Sequence, residues 1–178
     1  SRVVSFVKSH RDEKMIAFMM TCACVDFHGG ALQHILGEED ICIETLHGKL
    51  VQKRREKAMD RFRESPNGAL FCTDVAARGL DVADVEWVLQ LDAQQDPSQF
   101  VHRVGRSARA GRKGSSLVFL SQKEESCVDL LANRQAPLTQ LPLTEVRCNP
   151  MARGEEAGKD SETVHDVALN CSLGSLFG

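Results

Sequence analysis

Apolar positions along this chain follow two alternating patterns: short apolar-rich runs, and longer stretches with helical spacing. The short runs fall at 15–20, 41–45, 69–73, 85–91 and 116–120, as expected of strands buried on both faces. Between them, residues 3–11, 22–36, 51–63, 97–108 and 124–134 place apolar side chains three and four apart, the helical period. The pair Gly29-Gly30 predicts an interruption in the second of these helices. Pro97 falls in a first turn, where a helix accepts proline, and Ser65-Pro66-Asn67-Gly68 closes the helix before it. Strands of about five residues alternating with helices of about twelve predict βαβ crossovers, and hence an α/β fold with a mainly parallel central sheet covered on both faces. Beyond Leu143 the alternation stops. The stretch 149–158 is polar and turn-rich, so residues 144–178 are expected to be a linker or a truncated C-terminal extension, and 1–143 the folded domain. The apolar end at 169–177 has no recognisable surface to dock against.

Composition narrows the picture only a little. The 178 residues suffice for one domain with a core plus a tail. No run approaches the roughly 18–20 apolar residues needed to span a bilayer, and the opening segment has no secretory cleavage pattern, so no membrane and no targeting peptide are expected. Seven scattered cysteines fit thiols kept reduced in the cytosol or nucleus. Cys22 and Cys24 lack zinc-site spacing and a second pair, so they read as buried thiols at a strand end, and no metal site is expected. The net charge of −3 hides a division. Residues 1–134 carry 19 basic and 19 acidic side chains, whereas 135–178 carry three and six. Within the neutral part, 49–63 hold seven basic and two acidic groups, and 102–113 hold five basic and none acidic. Two local positive patches on a neutral body imply phosphate contacts at defined places, not a general polycation surface.

The second patch is the most informative. Arg103, Arg106, Arg109 and Arg112 follow one another with no acid among them. If the helix continues, His102, Arg106 and Arg109 at i, i+4 and i+7 share one face and present guanidinium forks together, an arrangement suited to phosphate. A solvated basic face is the plainer alternative, although such faces usually interleave acids. Ligands of a parallel sheet meet the loops beyond the carboxyl ends of its strands. Three segments arrive there: Thr21-Cys22, then His47-Gly48 with Gln52 and Arg55 on the helix that follows, and Thr73-Asp74 leading to Arg78-Gly79-Leu80-Asp81. A threonine hydroxyl, a glycine permitting close approach and an arginine near an aspartate fit contacts with a sugar-phosphate chain or nucleotide. Each also reads as local structure, Thr73-Asp74 as a helix cap and Arg78 with Asp81 as an ion pair. There is no G-x-x-x-x-G-K-[ST] loop, no G-x-G-x-x-G fingerprint and no paired acids placed to hold Mg²⁺. The arginines therefore look like half of a nucleotide site, completed by another domain, as arginine fingers are.

Two segments, Phe71-Cys-Thr-Asp-Val-Ala-Ala-Arg-Gly-Leu-Asp-Val82 and His102-Arg-Val-Gly-Arg-Ser-Ala-Arg-Ala-Gly111, resemble motifs V and VI of DEAD-box ATP-dependent RNA helicases. His47-Gly48 with Gln52-x-x-Arg55 resembles motif IVa, and Lys14 to Thr21 resembles motif IV. The match runs through residues 1–143 and is to the C-terminal RecA-like domain, a three-layer sandwich; nothing here resembles the N-terminal one. Thr21-Cys-Ala-Cys-Val25, Leu117-Val-Phe-Leu120 and Glu124-Glu125-Ser126 are most similar to a nucleolar branch acting in large-ribosomal-subunit assembly.

The resemblance implies roles residue by residue. Arg106 and Arg109 would reach the γ-phosphate of ATP, with His102 linking that site to the other domain. Asp81 would bind the ribose hydroxyls, with Arg78 and Gly79 near the phosphates. Thr21, Gly48, Gln52, Arg55, Thr73 and Asp74 would lie on the RNA backbone. ATP would arrive with Mg²⁺ held mainly by the N-terminal RecA-like domain, so this fragment alone is expected to be inactive. Implied partners are that domain and RNA, specifically pre-ribosomal RNA, for a monomer acting in the nucleus and nucleolus in ribosome biogenesis and rRNA processing. Ser107 stands where threonine is usual, Ala108 where glycine is common, and Lys49 where an acidic or small residue is common. A non-catalytic RNA- or protein-binding module is the alternative for the isolated chain. Another superfamily-2 motor fits less well, since those usually carry glutamine where this chain has His102.

Overall fold

The computed structural model describes residues 2–37, 39–77, 85–92, 96–107, 115–133, 138–141 and 167–172. Five parallel strands form the centre: β1 (Lys14–Phe18), β2 (Ile43–Leu46), β3 (Gly68–Cys72), β4 (Trp87–Gln90) and β5 (Ser115–Leu120). Two further strands, β6 (Thr139–Leu141) and β7 (Val167–Ser172), extend the sheet, in the order β2-β3-β1-β4-β5-β7-β6. β7 runs antiparallel to β5 and β6 antiparallel to β7. The helices are α1 (Arg2–Ser9), α2 (Cys22–Leu36), α3 (Gln52–Glu64), α4 (Asp74–Ala77), α5 (Pro97–Val104) and α6 (Ser126–Ala132).

Alternation along each strand sorts its side chains into two cores. Met15 and Ala17 of β1 join Val3, Phe6 and Val7 of α1 and Val25, Leu32 and Leu36 of α2 on one face. Ile16 and Phe18 join Met59 and Phe62 of α3 and Ala76 and Ala77 of α4 on the other. The result is the expected three-layer α/β sandwich around a mainly parallel sheet. Fully apolar strands such as β3, buried at all five positions, follow from being covered on both sides.

The structure departs from the sequence pattern in four places. First, α2 passes through Gly29-Gly30 without a break. A Cβ at Gly29 would lie 2.1 Å from Thr45 Cγ2, so this glycine lets the helix lie close on β2 and does not end it. Second, α5 stops at Val104, so Arg106 lies on a turn beyond it and does not continue the helical face of His102, while Arg109, the third member of that expected face, lies outside the described residues. Third, Cys22 and Cys24 sit in the first turn of α2, Cys22 half-buried and Cys24 exposed, so they are not buried thiols at a strand end. Fourth, β7 lies within the segment that shows no strand pattern, pairing Val167 with Leu120 and Ser172 with Ser115. A strand of six residues after a long polar stretch carries little local signal, and its ladder is supplied by β5 on one side and β6 on the other.

Candidate nucleotide and nucleic-acid interface

Because β1 to β5 are parallel, their carboxyl ends share one rim, and the loops expected to carry chemistry leave from it. Thr21 follows β1 as the N-cap of α2, its hydroxyl accepting the Cys24 N–H at 3.1 Å. An accepting hydroxyl keeps its own proton to donate, and Thr21 is exposed. Gly48 follows β2 on an exposed turn where a Cβ would meet nothing within 4 Å. The fold therefore does not require glycine there, and the gap leaves room for a ligand to approach the backbone. Thr73 follows β3, 7% exposed; its N–H reaches Leu46 O at 3.2 Å and its carbonyl accepts from Ala76 and Ala77. Its register with the end of β2 is thus fixed by the sheet ladder itself.

Gln52 and Arg55 sit on the first turns of α3. Arg55 Nη1 donates to Gln52 Oε1 at 3.3 Å, and Gln52 Nε2 donates to Glu56 Oε1 at 2.8 Å. With Leu46, Met59 and Arg63 they line a cleft of about 330 Å³. Arg55 Nε is buried in it without a hydrogen-bond partner.

The arginine segment is built by local rules. Asp96 caps α5, accepting from the Ser98 N–H at 2.9 Å and the Ser98 hydroxyl at 2.7 Å, with Pro97 next in line. The helix then tightens. Arg106 N–H bonds Arg103 O at 3.0 Å and Ser107 N–H bonds Val104 O at 3.1 Å, both three residues back. Ser107, 5% exposed, also turns its hydroxyl onto Val104 O at 3.1 Å, competing for the helical carbonyl, and Gly105 adds little helical preference. His102 is left exposed and Arg106 half-exposed on a turn. The Arg106 N–H bonds the carbonyl of Arg103, whose guanidinium holds Asp74, the residue after Thr73, so the Arg106 turn stands on the same rim as Thr73. Arg109, Arg78, Gly79 and Asp81 lie outside the described residues.

Asp74 is engaged within the protein. Both its oxygens accept from Arg103, Nε at 2.7 Å and Nη2 at 2.5 Å. Arg103, 2% exposed, also faces Gln90 Oε1 at 3.4 Å and Asp92 Oδ1 at 3.6 Å, with its guanidinium 4.9 Å from the Phe18 ring centre. Burial raises the Asp92 carboxyl above its usual range, opposed by the Met20 N–H at 2.5 Å and by Arg103. Sequence reasoning passed over Arg103, Asp92 and Gln90. The only trace of them is an arginine inside the basic run and an acid after each of two strands. His47, named in the sequence only beside Gly48, is 2% exposed, and its Nε2 lies 2.8 Å from Asp26 Oδ1, tying the Gly48 loop to α2.

Among the described residues no three His, Cys, Asp or Glu come together as metal ligands. Nor, among those residues, is any helix long and apolar enough to cross a membrane.

Comparison with known proteins agrees with this geometry. Residues 1–111 match the helicase conserved C-terminal domain. The chain is 43% identical over 145 residues to DEAD-box ATP-dependent RNA helicase 18 of Arabidopsis thaliana, covering 82% of this chain and 24% of that protein. It is 46% identical over 143 residues to the human (Homo sapiens) ATP-dependent RNA helicase DDX55, covering 79% and 23%. The chain thus spans about a quarter of the length of these relatives. Among solved structures, Mss116p DEAD-box helicase domain 2 bound to an RNA duplex superposes with a TM-score of 0.65 at 34% identity, over 72% of this chain and 50% of that one. E. coli DEAD-box protein SrmB bound to the regulator of ribonuclease activity A gives 0.68 at 30%, over 86% and 88%. The three-layer sandwich is therefore RecA-like.

Proposed function

Because this chain belongs to the helicase conserved C-terminal domain family, in its DEAD-box RNA helicase form, we propose that it is the second lobe of an ATP-dependent RNA helicase, lending arginine to ATP bound on a first lobe while it holds the RNA backbone. The observation that carries this reading is the half-exposed Arg106 on a turn at the rim that also bears Thr21, Gly48 and Thr73. One edge thus offers a cation for phosphoryl charge and a row of small polar groups for a phosphate chain. Arg109 joins Arg106 as the second finger, His102 links them to the first lobe, and Arg78, Gly79 and Asp81 border the nucleotide. Gln52 and Arg55 extend the RNA track beside Gly48. ATP and RNA close the lobes, and the guanidinium of Arg106 meets the charge developing on the transferred phosphoryl group. Backbone contacts leave this lobe indifferent to sequence.

We place its RNA among pre-ribosomal transcripts and the protein, as a monomer, in the nucleolus, on the likeness of residues 21–25, 117–120 and 124–126 to that branch. Crosslinking in cells that recovers no pre-ribosomal RNA overturns this assignment.

Arg106→Ala in the full-length protein is the test of the finger. RNA-stimulated ATP turnover is expected to fall by about 10³-fold or more, the scale of such residues in related hydrolases, with the melting curve unchanged. Near-normal turnover in that variant removes the role.

A further inference from the structure

Arg103 is the best-connected side chain on the rim. Its fork takes both oxygens of Asp74, the residue after Thr73. Nη1 faces Asp92, whose other oxygen accepts the N–H of Met20, the residue before Thr21. Its backbone carbonyl accepts the N–H of Arg106. One residue therefore joins the turn that carries Arg106, through its backbone carbonyl, to both threonine loops, through its guanidinium and two carboxylates. The guanidinium is 2% exposed, so pulling either carboxylate away from it removes a charge partner from a group that water does not reach. A movement of either loop is then transmitted to α5, not absorbed by water.

Resting on the function proposed above, we infer that Arg103 is a positioning residue that couples RNA held at the Thr21 and Thr73 loops to the placement of Arg106. Lysine cannot substitute. A single ammonium lacks the planar fork that holds Asp74 at two points while facing Asp92.

The test uses the full-length protein, single-stranded RNA and a non-hydrolysable ATP analogue, and reads the factor by which the analogue tightens RNA binding. In Arg103→Lys this factor is expected to fall by about tenfold, within the range of allosteric couplings, while RNA affinity without nucleotide is unchanged. A purely structural role would weaken RNA binding with and without nucleotide alike. If Arg103→Lys does not fold, Asp92→Asn, which keeps an oxygen for the Met20 N–H but loses the charge facing Arg103, gives the same reading. A wild-type factor in the folded variant, or equal weakening in both states, overturns the inference. Arg106→Ala measured alongside separates the two ideas. Full ATP turnover there removes the proposed function, whereas lost turnover with an intact factor in Arg103→Lys removes only the coupling.

Discussion

Glu44 shows how burial and pairing compete at one side chain. Arg61 grips it at two points, Nε to Oε1 at 2.7 Å and Nη2 to Oε2 at 2.9 Å, yet Glu44 is only 8% exposed. Desolvation outweighs the pairing and its carboxyl is raised above 4.5. A raised acid favours the folded state most when protonated, so its contribution is complete below about pH 4.5 and is lost as pH rises through the native value. Urea titrations between pH 4 and 7 should therefore show the wild type losing stability relative to Glu44→Gln as pH increases; parallel curves would contradict the burial argument. The arginine run illustrates a related limit of sequence. The concentration of positive charge in the run was legible from its four arginines. Which arginine turns inward was not, because Arg103 is chosen by Asp74 and Asp92, 29 and 11 positions away. A helical wheel continued past Val104 could not foresee Ser107 capturing the Val104 carbonyl.

At the scale of elements, the five parallel strands were legible as short apolar-rich runs, with ends shifted by one or two residues where pairing sets them, while β6 and β7 were not legible. The glycine pair in α2 misled, since sequence cannot say whether a glycine breaks a helix or lets it approach a neighbour. The two positions are separable by substitution. Gly30 is exposed with open space around a Cβ, so Gly30→Ala should stabilise by about 0.5–1 kcal/mol through helix preference. Gly29→Ala should cost about 1–3 kcal/mol, because its methyl overlaps Thr45 and one element must give way. Chemical denaturation of both variants decides the matter, and equal effects would show that close packing on β2 is not the reason for Gly29.

Over the whole molecule, the charges form two patches on a body that is otherwise neutral or acidic. The isolated chain should bind single-stranded RNA non-specifically, with a Kd of about 10⁻⁴–10⁻⁶ M at physiological salt and a salt slope of about −0.7 per phosphate engaged. It should not hydrolyse ATP, with or without RNA, having no phosphate loop of its own. Fluorescence anisotropy across a salt series and a phosphate-release assay check both. RNA-dependent turnover by this chain alone would mean that the nucleotide site is not shared between lobes. Arginines without a phosphate loop are what the sequence offers toward a shared site, whereas the common rim required the parallel order of five strands.

The outermost strand carries one more consequence. β2 ends the sheet, and the carbonyl of Ile43 accepts the side-chain amide of Gln33 at 2.9 Å. A sibling molecule seeking to lengthen the ladder would find that acceptor already taken, with the carboxylate of Glu44 on the same strand, and such obstacles discourage edge-to-edge stacking. This edge of the sheet is thereby guarded against growing into a longer, shared ladder.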